Sequence, residues 1–529
     1  VPGNVYGVVQ KWVLPCDGIL QPENQRRCRP PQPELHFFIV PMPIRLEDRT
    51  RERLQALEIR ILQNDMRVVV REAVPEGIRV DSQGEEAGNE CCFAHIAQKR
   101  CHDHNIQRQL QMRRLLLAVN PTTFRPSHHG ILTGVVRFMS LLKYVRPMGI
   151  YETLYAFLEA FGTYMGEPGT HPWSQGFPRT VQLPGGPPMP TSVDIDSTHL
   201  MYPKAWGLPA LREAISGYYN HAYGCDLDPE NVIVFAGGRP AIIASLLFLD
   251  PDITVRIAST EYTPYYDMLE RLGKRYELVD SNVENGFAPS VADYMAGEGR
   301  SMVVLSNPCN PTGITRSEED LAALVAAAES GGTGVLVDEA YEFFHDPPVS
   351  ALKYVKNIDE SDLLVIGAAT KGLQSPGIRI GWLIGSKEHV EILSNFSSFG
   401  MGGVSHPSQL YALELLEKDR VAMARQAVPA FYKEQRDRYG DAFSKLGLEI
   451  FSGDGGFYHW CRLPNGLTAA ELNDRLFPLG AAVLMGTDCD MARRGDASPL
   501  RNFFRFSFGP LDPNDFAEDI SLMEHALKG

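Results

Sequence analysis

The sequence predicts an α/β protein with buried strands and with polar functional groups where the strands end. The apolar run Leu363–Ile366 has the length and branching of a buried parallel strand. Four more short apolar runs are strand candidates: Asn231–Phe235, Val255–Ala258, Ser301–Leu305 and Gly334–Val337. Polar residues and glycines follow these runs, and open α/β sheets bind their ligands at such strand ends.

Length and charge limit the class of protein. A chain of 529 residues can bury several cores, which favours two or three domains. The net charge of −15 argues against a general binder of nucleic acids or anionic membranes, because such binders need a basic face. We therefore expect neither nucleic acid nor membrane as a partner.

The sequence also indicates a compartment. It contains no apolar run long enough to span a bilayer and no leader with a cleavage site, so a cytoplasmic protein is expected. Nine cysteines, an odd number in a long chain, do not predict a disulfide framework. Reduced thiols are the simpler interpretation.

Residues 1–111 differ from the rest of the chain, because their acidic and basic residues balance. A strand is predicted at Leu35–Val40 and a helix at Leu46–Met66. Clustered cysteines and histidines suggest a zinc site, but their spacing matches no known zinc finger or ribbon, and we predict no metal. The residues concerned are Cys91, Cys92, His95, Cys101, His102 and His104. The other interpretations of this region are an irregular extension and an upstream segment that is not part of the folded unit.

Two further segments precede the strands. Apolar residues between Phe138 and Tyr164 predict one or more amphipathic helices, interrupted near Pro147. Residues 166–190 are rich in proline and glycine and are predicted to be extended and exposed.

The turn Gly237-Gly238-Arg239 joins a strand to the predicted helix Ile242–Phe248. A glycine turn at a helix start leaves free N–H groups and the positive end of the helix dipole directed at one point. This turn is therefore a candidate anion site, and Arg239 adds positive charge to it.

Two later loops deliver polar side chains from strand ends. Asn310 lies between two Asn-Pro pairs, which favour a stiff, non-helical loop. Asp338 follows the predicted strand Gly334–Val337, and a carboxylate in that position needs a cationic partner. Both side chains are expected to project into a cleft.

Lys371 lies just past the strand Leu363–Ile366, where desolvation favours its neutral, nucleophilic form. Arg379 follows a Pro-Gly turn and can offer a two-pronged donor to a phosphate. This one segment would then carry both a lysine that can bind a ligand covalently and an arginine that can balance the charge of a phosphate.

These motifs resemble one known family. Thr370-Lys371 with Pro376-Gly377-x-Arg379-x-Gly381-Trp382, and the string Asn-Pro-x-Asn310-Pro-Thr-Gly, are similar to the signatures of fold-type I pyridoxal-phosphate enzymes, specifically class I/II aminotransferases. The resemblance covers roughly residues 195–529.

The resemblance implies roles for individual residues. Lys371 would bind pyridoxal 5′-phosphate as an aldimine, and Asp338 would pair with its ring nitrogen. Asn310 and Tyr341 would donate to the phenolic oxygen, and Tyr262 would stack on the ring. The cofactor phosphate would contact a larger set, namely Gly237, Gly238, Arg239, Thr370 and Arg379, together with Tyr202 from a second subunit of a homodimer.

In the C-terminal part, helical patterns cover Lys387–Phe396 and Pro407–Lys445, and a Gly-Gly-aromatic segment near Trp460 predicts a strand. Phe503–Gly509 alternates apolar residues with Arg505, which predicts a second strand. By resemblance Arg505 and Asn310 would bind the substrate, Arg505 through its α-carboxylate.

The resemblance also implies a fold: the pyridoxal-phosphate-dependent transferase fold of the aspartate aminotransferase type. Its large domain has a mostly parallel sheet with helices on both faces, and its smaller domain is α/β. We expect an N-terminal extension at 1–111, a helical arm and connector at 112–200, a cofactor-binding domain at 201–385 and a small domain at 386–529.

The activity implied is transfer of an amino group from an L-amino acid to a 2-oxo acid. Ala368 departs from the family, which commonly has a hydroxyl residue there for the phosphate. A lyase or cyclase of specialised biosynthesis is therefore an alternative. A cofactor-sensing transcriptional regulator is more remote, because residues 1–111 carry no basic recognition helix.

Overall fold

The fold is that of a computed structural model, which describes residues 141–529 and four strands upstream of them. The chain divides into two compact units, with the boundary between Arg137 and Phe138. In the first unit the strands form two antiparallel pairs, β1 with β2 and β3 with β4. Their bounds are Asn4–Val9 (β1), Phe38–Pro43 (β2), Leu57–Leu62 (β3) and Arg67–Glu72 (β4).

The helix predicted at Leu46–Met66 is wrong where the structure describes it, because β3 lies inside that range. Leu57-Glu-Ile-Arg-Ile-Leu62 alternates apolar and charged residues with the period of a strand, and its isoleucines favour extended backbone. β2 overlaps the strand predicted at Leu35–Val40 by three residues. The cysteine and histidine cluster at 91–104 lies outside the described residues. Within the described ones, no group of potential ligands could hold a metal ion.

The second unit contains a seven-stranded sheet in the order β5-β11-β10-β9-β8-β6-β7. The pairs β7–β6, β6–β8, β8–β9 and β9–β10 are parallel, and β11 runs antiparallel to both its neighbours. The strands are Val232–Phe235 (β5), Thr254–Ala258 (β6), Tyr276–Val279 (β7), Ser301–Ser306 (β8), Thr333–Asp338 (β9), Leu363–Ala368 (β10) and Gly381–Ile384 (β11). The mostly parallel sheet predicted from the sequence is confirmed.

Both faces of this sheet are buried. Successive residues of a strand point to opposite faces, and in β5 Val232 and Val234 join one apolar cluster while Ile233 and Phe235 join another. One helix precedes the first strand of this sheet, and four others alternate with its strands along the chain: Pro209–Tyr223 (α2), then Gly238–Phe248 (α3), Pro264–Leu272 (α4), Val291–Met295 (α5) and Glu318–Ser330 (α6). This burial explains why the strands appear as continuous apolar runs.

Before the sheet, the helix expected between Phe138 and Tyr164 is shorter than predicted. Helix α1 spans Ile150–Phe161, and residues 143–148 are not helical. Pro147 and Gly149, whose φ is +56°, delay the helix start.

After the sheet, four antiparallel strands form a second sheet in the order β12-β13-β15-β14. They are Glu449–Ile450 (β12), Tyr458–Arg462 (β13), Leu484–Met485 (β14) and Phe503–Ser507 (β15). The accompanying helices are Lys387–Ser394 (α7), His406–Leu415 (α8), Lys418–Lys445 (α9), Ala469–Leu476 (α10) and Phe516–Lys528 (α11). The stretch Pro407–Lys445 thus contains two helices.

Of the helices in residues 141–529, none is long and apolar enough to cross a lipid bilayer. The domain divisions expected at residues 111, 200 and 385 stay predictions.

Candidate active site

The candidate site lies at the carboxyl edge of the large sheet. The neighbouring parallel strands β8, β9 and β10 end at Ser306, Asp338 and Ala368, so the segments that follow them begin at the same edge. These segments carry Asn310, Tyr341 and Lys371. The sheet therefore brings three segments to one edge, and the first and last of these residues are 61 positions apart in the chain.

Lys371 is partly buried, and its Nζ donates a hydrogen bond to the carbonyl oxygen of Gly176. The same nitrogen lies 5.6 Å from the ring centroid of Tyr341 and 5.8 Å from that of Phe457. Burial, followed by repulsion from Arg239 and Arg505, lowers the pKa of Lys371 to about 7. A large fraction of this amine is therefore neutral and nucleophilic near neutral pH.

Asp338 is buried, with 8% of its surface exposed. Its Oδ2 accepts a hydrogen bond of 3.0 Å from the hydroxyl of Tyr265, and its Oδ1 accepts one of 3.1 Å from the backbone N–H of Ala340. Burial raises the pKa of Asp338, while the two hydrogen bonds and Lys371 oppose that rise. The carboxylate is thus oriented in a desolvated place, where a cationic ligand would stabilise it.

The glycine turn before α3 packs against Arg379. Gly237 has φ of +101°, and a Cβ there would clash with the guanidinium of Arg379. Arg379 itself has φ of +54°, directly after the short helical turn Pro376–Ile378, and its Nη1 donates to the carbonyl of Pro376 at 2.8 Å. An arginine therefore lies against the glycine turn at the N-terminus of α3, and this combination suits a phosphate.

Arg239 belongs to the same turn and binds an aromatic residue. Its Nε donates a hydrogen bond of 2.7 Å to the hydroxyl of Tyr262, and its guanidinium carbon lies 5.7 Å from the ring centroid. The ring of Tyr262 packs edge-on against Tyr265, with centroids 5.3 Å apart. Arg239 thus links the glycine turn to the aromatic side of the site.

Arg505 is buried on β15, and its guanidinium is held on three sides. Nη1 donates to the amide oxygen of Asn310 at 2.8 Å, and Nη2 donates to the carbonyl oxygen of Ser174 at 2.7 Å. The ring of Tyr458 lies 4.2 Å from the guanidinium carbon. Nε is buried and has no hydrogen-bond partner among the described residues, so an added acceptor would complete the group.

Sequence reasoning missed four residues here, namely Ser174, Gly176, Tyr265 and Tyr458. Ser174 and Gly176 belong to the connector predicted to be exposed, and that prediction is wrong for Trp173, Ser174 and Pro178, which are buried. A Cβ on Gly176 would lie 2.8 Å from the hydroxyl of Tyr458, so the connector approaches as closely as glycine allows. The hydroxyl of Tyr458 in turn contacts that of Tyr341. No local pattern encodes these long-range contacts.

Tyr202 lies apart from this constellation. It is 94% exposed, and its neighbours Leu200 and Met201 are 81% and 67% exposed. Within one chain Tyr202 is thus a surface residue.

The residues present fit pyridoxal phosphate. Lys371 offers a desolvated amine for an aldehyde, Asp338 a buried carboxylate for a protonated ring nitrogen, and the turn at Gly237 with Arg379 a cradle for a phosphate. The Nε of Arg505, which has no hydrogen-bond partner among the described residues, is a donor still without an acceptor.

Comparison with known proteins identifies the family. The profile of "Aminotransferase class I and II" matches residues 191–515. A probable aspartate/prephenate aminotransferase of Thermus aquaticus is 30% identical over 295 residues, covering 53% of this chain and 74% of that protein. An LL-diaminopimelate aminotransferase of Desulforudis audaxviator is 28% identical over 296 residues, covering 54% and 73%.

Solved structures agree on the fold. An aspartate aminotransferase from Thermus thermophilus with maleate aligns with a TM-score of 0.59 at 23% identity, covering 72% of this chain and 97% of that one. An aminotransferase from Mycobacterium tuberculosis aligns with a TM-score of 0.60 at 22% identity, covering 74% and 100%.

Fold and family together define a fold-type I enzyme that depends on pyridoxal 5′-phosphate. More specifically, the chain belongs to the class I and II aminotransferases.

Proposed function

We propose that this enzyme transfers the amino group of an L-amino acid to a 2-oxo acid, and that Lys371 is the residue that holds the cofactor covalently. The observation that carries the proposal is the position of Lys371 just past β10, beside the strand end that carries Asp338, where burial and the charges of Arg239 and Arg505 lower its pKa. When bound, pyridoxal phosphate supplies an aldehyde and an electron-withdrawing ring for the substrate nitrogen and Cα.

Residues of the chain itself would bind the substrate, transfer the proton and orient the cofactor. Arg505, backed by Asn310, binds and orients the substrate α-carboxylate. Lys371, once free, carries the proton to and from the substrate Cα as a general base and acid. Asp338 pairs with the ring nitrogen and keeps it protonated, while Tyr341 and Asn310 donate to the phenolic oxygen.

Phosphate binding would involve Gly237, Gly238, Thr370 and Arg379, with Tyr262 stacked on the ring. Ala368 supplies no hydroxyl to the phosphate. Arg239, held against Tyr262, supplies positive charge in its place.

We also propose a homodimer in which Tyr202 of one subunit reaches the phosphate of the other. The proposal is supported by the exposed run Leu200–Tyr202, because exposed apolar surface commonly marks an interface. Mixing inactive Lys371→Ala subunits with impaired Tyr202→Ala subunits tests it. If sites are shared, an equimolar mixture regains about a quarter of wild-type activity, since about half of its dimers are mixed and each mixed dimer has one complete site out of two. No recovery after verified subunit exchange contradicts sharing.

Transamination itself is tested with purified enzyme, pyridoxal phosphate and a panel of amino acids, followed by cofactor absorbance and product mass. The panel includes aspartate, because relatives are named for aspartate and prephenate. Pyridoxamine phosphate plus a 2-oxo acid supports the proposal. Consumption of amino acid with other products favours the lyase or cyclase that the change at Ala368 also allows.

A further inference from the structure

Residues 171–179, here called the arm strap, cover two of the groups proposed to react or bind. The carbonyl of Ser174 accepts from Nη2 of Arg505 at 2.7 Å, and the carbonyl of Gly176 accepts from Nζ of Lys371. The position of the strap therefore determines which donors of Arg505 remain free and in which direction they point.

The N-terminal end of the strap is fixed by Asp519, a residue of α11 with 1% of its surface exposed. Its Oδ1 lies 2.8 Å from Nδ1 of His171 and accepts a 3.0 Å hydrogen bond from Nε1 of Trp173. Its Oδ2 accepts from the hydroxyl of Tyr439 on α9 at 2.5 Å. One buried carboxylate thus ties two strap residues to two helices of the C-terminal part.

The connection from Asp519 to Arg505 is short. Trp173 is adjacent to Ser174, and the carbonyl of Trp173 accepts a 2.7 Å hydrogen bond from the N–H of Ser507, two residues beyond Arg505 on β15. A shift of the indole therefore moves the carbonyl that holds Nη2. Binding of a carboxylate by the planar guanidinium of Arg505 is sensitive to such displacements, because moving a binding group by about 1 Å lowers both affinity and reaction rate.

The other end of the strap is fixed independently. The N–H of Arg179 donates to the hydroxyl of Tyr432 at 2.9 Å, and Nε2 of Gln374 donates to the carbonyl of Arg179 at 2.7 Å. Loss of the Asp519 anchor should therefore loosen the first half of the strap while the second half stays attached.

We propose that Asp519 is a positioning residue for substrate binding, acting through His171 and Trp173 on the strap and thereby on Arg505. The proposal rests on the proposed role of Arg505 in binding the substrate α-carboxylate. The hydrogen bonds of Asp519 go to His171, Trp173 and Tyr439, so its proposed effect on Arg505 is indirect.

The anchor depends on pH through His171. Its hydrogen bond to Asp519 raises the pKa of His171, and burial opposes the rise. Other charged groups facing this ring are Glu518, whose Oε1 lies 3.8 Å from Nε2, and Asp515, and both also raise the pKa. A raised pKa means that the charged pair is complete below about pH 6.5 and is lost as pH rises through the raised value.

The test compares Asp519→Asn with Asp512→Asn, each in the cofactor-loaded full chain. Asp512 also pairs with the strap, 3.1 Å from Nη2 of Arg179, but it is 41% exposed and should contribute little. We expect Asp519→Asn to raise the KM for the best amino acid of the panel about tenfold while kcat changes less than about threefold. A purely structural defect would lower the active fraction, and hence kcat, without changing KM.

Hydrogen exchange gives a readout independent of turnover. In Asp519→Asn, amides of 173–176 should exchange at least about tenfold faster than in wild type, with Asp512→Asn unchanged. Trp173→Phe removes one hydrogen-bond donor to Asp519 and leaves Asp519 in place, so the same measurements are made on this variant if Asp519→Asn does not fold. Unchanged exchange and KM in the folded variant overturn the proposal. If the wild type converts no amino acid, the proposed function fails, yet the exchange result still decides whether Asp519 anchors the strap.

Discussion

Nη1 of Arg505 donates a hydrogen bond of 2.8 Å to the amide oxygen of Asn310, although 195 residues separate them in the chain. Arg505 belongs to the small antiparallel sheet, and Asn310 follows a strand of the large parallel sheet. The contact therefore joins the proposed carboxylate-binding group to the loop proposed to hold the cofactor. In the proposed mechanism, substrate binding and cofactor orientation therefore share this hydrogen bond.

Arg505→Lys should weaken substrate binding more than it weakens cofactor binding. Lysine keeps the positive charge, but it lacks the planar guanidinium whose donors can bind Asn310, Ser174 and a carboxylate at the same time. We expect the KM for amino acid to rise about 30- to 100-fold, measured by steady-state kinetics. Arg501→Lys, at an exposed position of the same region, is the control and should leave KM unchanged. Equal KM values for both variants would contradict the role of Arg505.

The amine of Lys371 should titrate far below ordinary lysines in the cofactor-free protein. Burial and nearby arginines lower its pKa to about 7, so its reactivity should rise with pH and level off just above that value. Acylation at graded pH, quantified by peptide mass spectrometry, measures this directly. Lys353, whose pKa is raised by its hydrogen bond to Glu318, provides an internal control that reacts only at much higher pH. Equal midpoints for both lysines would contradict the prediction.

Candidate site residues that lie at strand ends could be predicted from the sequence. Asp338, Asn310 and Lys371 follow short apolar runs, and these runs form adjacent strands. It did not predict Ser174 and Gly176, because a Pro/Gly-rich segment carries no signal for the distant side chain that its carbonyls meet. The helix predicted at Leu46–Met66 is wrong at Leu57–Leu62, because apolar residues that recur near a period of 3.6 over the longer range alternate with a period of two in this segment. Local sequence pattern thus predicted the strands and the residues at their ends better than it predicted the strap, residues 171–179, that contacts those residues.

Asp338→Asn should impair catalysis while the cofactor still binds. An amide keeps the size of the side chain and its contacts with Tyr265 and Ala340, but it cannot stabilise a protonated ring nitrogen. We expect kcat to fall about a hundredfold or more, with cofactor content measured by absorbance close to wild type. Glu339→Gln, a neutralised neighbour that is also buried, controls for general destabilisation. An equal fall of kcat in Glu339→Gln would contradict a specific catalytic role of Asp338.

Gly237→Ala should weaken cofactor binding through the phosphate. Gly237 has φ of +101°, and an added Cβ would displace the guanidinium of Arg379, so both backbone strain and lost counter-charge act against the phosphate. Fluorescence titration of the cofactor-free protein should show affinity for pyridoxal phosphate lowered about tenfold or more. Gly217→Ala in α2 is the matched control, because a Cβ there meets open space and favours the helix by about 0.5–1 kcal/mol. Affinity unchanged in Gly237→Ala, or reduced equally in Gly217→Ala, would show that the turn before α3 is not the phosphate site.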